Sequence, residues 1–115
     1  MDIIITLPSH VDWSEYMKEL DAVKDWKSTM NFKVPFIPKN IKKGDRCYLV
    51  HQGYIIGWMS IIGTSSNDSF DCTTTGKKWS GCFIQRSGPF HYIDKQIPMK
   101  GFQGVHYFNH EEYGI

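Results

Sequence analysis

Apolar positions in this chain come in short blocks whose period changes along its length, and each change marks a different element. Asp2–Leu7 is a β-branched run closed by Pro8, too short for a helix and with the composition of a buried strand. Asp12 and Glu15 then stand three apart, as in a capping box, and Trp13, Tyr16, Met17, Leu20 and Val23 recur at helical spacing. This spacing predicts an amphipathic helix from Trp13 to about Lys24, with the whole stripe, Trp13 included, packed as core against a sheet. Asp25–Asn40 contains Pro35 and Pro38, which remove backbone donors, so an irregular connection with one extended piece, Phe32–Phe36, is expected.

The strongest signal is the hairpin in Asn40–Ile62. Lys43-Gly44-Asp45 breaks the chain, Arg46–His51 is apolar and β-prone, Gln52-Gly53 supplies a two-residue reversal, and Tyr54–Ile62 returns. Beyond it, Thr64–Ser69 reads as a polar loop. Phe70–Thr75 and Cys82–Arg86 read as strands joined across GKKWSG, and Ser87-Gly88-Pro89 reads as a turn. Phe90–Met99 has no settled period, and Gly101–Gly104 leads into a last strand, Val105–Phe108. Five to six strands with one or two helices predict an α+β domain whose sheet curls into a small barrel.

A chain of 115 residues and 13.4 kDa fits one domain, 1–115, able to bury roughly two-thirds of its unfolded surface. No apolar run approaches the ~20 residues of a membrane span, and the start, MDIIITLPSH, lacks a basic segment ahead of a long apolar one. A cytoplasmic protein with no membrane partner is expected. Cys47, Cys72 and Cys82 are odd in number and lack CxxC spacing, so reduced, mostly buried thiols are expected rather than disulfides or a zinc site.

The formal net charge of +1 hides a segregation. Residues 1–25 carry six acids against two lysines, and residues 26–50 carry six basic residues against Asp45. A basic face of this kind can neutralise phosphates, although an ordinary solvated surface has the same look. Four Trp, six Tyr and seven Phe add flat π surfaces. Asn31, Ser87 and Gln103 offer groups that can read a base edge, and Lys33, Lys39, Lys42, Lys43, Lys77, Lys78 and Arg86 offer backbone contacts. Trp79 follows two lysines and precedes Ser80-Gly81, which suits an exposed stacking residue, whereas Trp58 lies inside an apolar strand and suits core or cage wall alike. The turn 86–90 could hold an anion at a strand end or be a plain turn. Lys100-Gly101-Phe102-Gln103-Gly104 forms a second basic, aromatic lip or simply a loop.

Catalytic and metal readings find little support. His106 and His110 stand four apart, but in a strand that separation is about 13 Å, too far to share a metal. Cys47 and Cys82 fall inside expected strands, Cys72 has no evident base, no GxSxG turn occurs, and GYIIG and KGFQG lack the setting of a phosphate loop. No reaction and no cofactor is nominated.

Ile41–Val50 (IKKGDRCYLV) with Gly53–Ile61 behind it, and Met30-Asn31-Phe32-Lys33 ahead of it, resembles the core of PUA-like domains, especially the EVE and YTH group. The resemblance implies a pocket that stacks a flipped, often modified nucleobase, with Asn31 and Phe32 lining it and Trp79 or Trp58 as a wall. The related ASCH branch implies a hydrolase with a GxKxxExR-type segment, but residues 76–82 (GKKWSGC) lack its Glu. The expectation is therefore a DNA- or RNA-binding module that does no chemistry. The competing expectation is a protein-interaction module using the acidic helix 12–25 or the acidic tail, and the minor one a nucleic-acid hydrolase.

Overall fold

The computed structural model describes the backbone of residues 1–71 and 78–115 and the side chains of residues 1–65 and 82–115. The elements are β1 (Ile3–Thr6), α1 (Trp13–Val23), β2 (Met30–Val34), β3 (Arg46–His51), β4 (Tyr54–Asp71), β5 (Lys78–Pro98) and β6 (Val105–Tyr107), followed by a 3-10 turn, His110–Tyr113. The six strands form one sheet in the order β2-β5-β4-β3-β1-β6, curled as a half-barrel. β1 and β3 run parallel, and the other neighbours run antiparallel.

β1 and β3 read as unbroken apolar runs because both faces of the sheet are covered at its centre. Side chains alternate between faces, so Ile3, Ile5, Cys47 and Leu49 join the cluster under α1, while Ile4, Tyr48 and Val50 join Ile55 and Phe108 on the opposite side. α1 contributes Tyr16, Leu20 and Val23 to the first cluster. Met17, placed in the stripe by its spacing, is instead exposed, because the buried face of α1 is narrower than the apolar stripe. The Asp12 carboxylate accepts from the Ser14 hydroxyl and backbone N–H, at 2.8 and 2.9 Å, and these bonds hold it below the usual carboxylate range.

Four expectations are corrected here. Residues 64–69 are not a loop, because β4 continues through them to Asp71. Residues 87–89 are not a turn, because β5 runs through them to Pro98, with Gly88 at a left-handed φ of 86°. The extended piece expected at Phe32–Phe36 lies at Met30–Val34 and pairs with β5. Four register shifts between β4 and β5 explain how such long strands stay in one domain: each adds twist and bends the ribbon. The hairpin tip expected across GKKWSG is corrected over Lys78–Gly81, which belong to β5 and pair with Asp68–Asp71, while Gly76 and Lys77 lie outside the described residues. Among the described residues, no helix is long and apolar enough to cross a membrane.

An aromatic cleft at the β3–β4 turn

The turn that ends β3 organises the site. Gln52 and Gly53 both take left-handed backbone, with φ of 50° and 84°, the pattern of a type I′ reversal that matches the twist of the flanking strands. Glycine adopts this φ freely, and glutamine does so at a cost of roughly 1 kcal/mol. The turn fixes His51 on one side and Tyr54 on the other. β5 brings Tyr92, Asp94 and Lys95 alongside, and the first turn of α1 brings Trp13.

Together these residues line a cleft of about 730 Å³, within the range of small-molecule sites. Trp13 stacks on His51 at 5.5 Å between centroids and meets Tyr92 edge-on at 6.4 Å. Phe90 supports both rings, at 6.1 Å from Trp13 and 4.9 Å from Tyr92. Tyr92 is 57% exposed, so its ring is open to a further stacking partner. His51 is only 7% exposed, and neither of its ring nitrogens meets a protein donor or acceptor. A buried polar group left so costs about 1–3 kcal/mol of stability. Asp94 also lines the cleft, but His51 has no bond to it, so the cleft shows no oriented acid–base pair. The arrangement suits binding of a flat ring.

Sequence reasoning missed these residues. Trp13 fits the helical stripe and was expected in the core; the structure packs it against the core only in part and leaves it on the cleft. Tyr92 lies in the segment without a settled period. The available signal was the pair His51 and Tyr54, which a two-residue turn places together at one end of the sheet.

The residues expected in a base pocket are dispersed. Asn31 is exposed on β2 while Phe32 packs towards the core, since adjacent strand residues take opposite faces, so the two do not line one pocket. Trp58 lies on the face away from α1, stacked on His91 at 4.0 Å with the Arg46 guanidinium 4.3 Å from its ring centre. Ser87 is fully buried, and its hydroxyl donates to the Ser28 carbonyl at 2.6 Å, which leaves it no route to a ligand. Arg86, expected to touch phosphate, is 3% exposed and donates to the Tyr16 hydroxyl at 3.2 Å beneath α1, so the anion-holding turn expected at 86–90 is corrected as well. Lys33 is exposed on β2; Lys39, Lys42 and Lys43 are exposed before β3, at the opposite end of that strand from His51. Lys100 is exposed and adjoins Gly101, which lines a second cleft. Lys77 and the side chains of Lys78 and Trp79 lie outside the described residues.

Cys47 belongs to the core and not to any site. Burial pushes its thiol up to about 11, against the opposing pull of Arg86 beside it. Cys47 is therefore expected to resist alkylation at pH 8 in the folded protein and to react once denaturant is added, as peptide mass spectrometry would show; rapid labelling of the folded chain would contradict its burial. The linkage runs the same way. The unfolded thiol ionises first as pH rises past 9, so this group's contribution to stability declines between pH 9 and about 11.

No family model matches the chain, and neither the curated proteins nor the solved structures include a significant match, so the functional reading rests on the geometry of the cleft.

Proposed function

We propose that this protein is a nucleic-acid-binding module of PUA-like type that seats a nucleobase in the cleft between Trp13, Tyr54 and Tyr92. The observation that carries the reading is the cleft of about 730 Å³ lined by Trp13, Tyr54 and Tyr92, in which the Tyr92 ring, 57% exposed, is open to a stacking partner. A base supplies both a π face for Tyr92 and polar edges for the Gln52 and Gln96 amides. The curled half-barrel with one helix and the Gly44-Asp45 entry into the β3–β4 hairpin support the PUA-like assignment. The residues expected from resemblance give way to Trp13, His51, Tyr54 and Tyr92, while the lysines remain candidates for backbone contacts.

The test is a titration of intrinsic tryptophan fluorescence with short single- and double-stranded oligonucleotides at two salt concentrations. Saturable quenching that weakens with salt is expected, and Tyr92→Ala should weaken it about 5- to 150-fold, the worth of one base–aromatic stack. Absence of saturable binding at low salt would remove this reading. A second reading, docking of a protein partner, draws on the exposed Met17 beside Pro89 and Tyr92 along α1. Affinity for such a partner would respond to Met17→Lys and not to Lys42 and Lys43.

A further inference from the structure

Gln52 lines the aromatic cleft and also a neighbouring cleft of about 490 Å³ on the other side of the turn. It is one of two non-glycine residues with a left-handed φ among those described; the other, Trp26, lays its ring against Gly88. Strain of this kind persists where the surroundings over-determine it, and it gathers at ligand sites. Asparagine or glycine would satisfy this turn more easily, so the longer carboxamide is kept at a backbone cost.

The second cleft is built as firmly as the first. Phe102 lies half-buried on its border, meets His106 edge-on at 4.3 Å, and donates its backbone N–H to the Thr6 hydroxyl at 3.2 Å. The Gly53 carbonyl accepts the Met99 N–H at 2.9 Å, which ties the turn to the end of β5 and fixes the seam between the two spaces. Lys95 stands on the rim of the first cleft and Lys100 beside the second.

We propose that the two clefts form one bipartite site for two consecutive units of a single nucleic-acid strand, with the Gln52 carboxamide reading a base edge at the seam. The inference rests on the reading of the aromatic cleft as a base site. One base stacks on Tyr92, the next lies against Phe102, and Lys95 and Lys100 neutralise phosphate on either side. A carboxamide presents an acceptor and two donors together, which complements a base carrying an adjacent donor and acceptor, such as adenine or cytosine.

The experiment compares a mononucleotide (AMP) with the dinucleotide ApA, on the full chain and on Tyr92→Ala, Gln52→Gly, Phe102→Ala and Gln103→Ala. The dinucleotide is expected to bind about tenfold or more tightly than AMP, the worth of a second stacked base. Phe102→Ala should remove that gain and leave AMP binding intact. Should Phe102→Ala fail to fold, Gln103→Ala, changed at an exposed position on the same cleft, should reduce the gain instead. Gln52→Gly should raise the melting temperature while weakening ApA. A dinucleotide that binds no better than AMP, or a gain indifferent to the second-cleft variants, overturns the bipartite site and leaves the first cleft standing. Gln52→Gly that leaves ApA affinity unchanged overturns the role of its carboxamide. AMP binding that ignores Tyr92→Ala, or no binding of either nucleotide, overturns the base-site reading itself.

Discussion

Gly57→Ala is expected to melt more than about 10 °C below the parent protein, from a loss of about 3 kcal/mol. A Cβ at this position would stand 2.3 Å from the His91 carbonyl oxygen and 2.5 Å from the Phe90 ring. The carbonyl belongs to the paired strand and cannot rotate aside, so β4 and β5 would have to separate. They would do so where Gly57 is opposite Leu49 on one side and Tyr92 on the other, next to register shifts in both ladders. Phe90 and Tyr92 also shape the aromatic cleft, so the variant should distort that cleft before it loses its fold. Thermal denaturation followed by circular dichroism measures the effect. A melting point within about 2 °C of the parent would mean that the two strands do not approach at Gly57 as described.

Arg86 gives the second large effect, and its sign depends on what replaces it. The side chain is buried beneath α1, its Nε has no partner, and no carboxylate pairs with it among the described residues. Its compensation comes from the Tyr16 hydroxyl, the Cys47 thiol and the Phe32 ring, the last 6.0 Å away. Arg86→Ala should cost about 2–4 kcal/mol, because it opens a cavity and leaves the Tyr16 hydroxyl unsatisfied. Arg86→Met fills the same space without a charge to desolvate, and it should be as stable as the parent or more so. Chemical denaturation of the three proteins separates volume from charge. A methionine variant as unstable as the alanine variant would show that the charge itself holds α1 in place.

Much of the fold could be read locally, because the central elements obey one dominant pattern each. Ile3–Thr6, Trp13–Val23 and the Arg46–His51 to Tyr54 hairpin match their expected places, since β-branched runs, a 3.6-residue period and a two-residue turn act over short range. β4 and β5 were less legible. Residues 64–69 are polar and 87–89 hold Gly-Pro, so nothing local favours strand there; pairing with a long partner overrides propensity, and bulges absorb the irregular residues. The site was least legible, because it is assembled from Trp13, His51 and Tyr92 on three different elements. Helical period correctly put Trp13 on the inward side of α1, but whether that side meets core or a cleft depends on where β5 passes.

The strand order has a consequence in time. β1 pairs with β3, about forty residues later, and with β6, about a hundred residues later. During synthesis at about 5–20 residues per second, one side of β1 stays without its neighbour for roughly 5–20 seconds after β1 itself has been made. The apolar run Ile3-Ile4-Ile5 is then an open template for another chain. Production at low temperature, or with chaperones that hold nascent chains, should therefore decide how much of this protein reaches its native state before a neighbouring copy takes the place of β6.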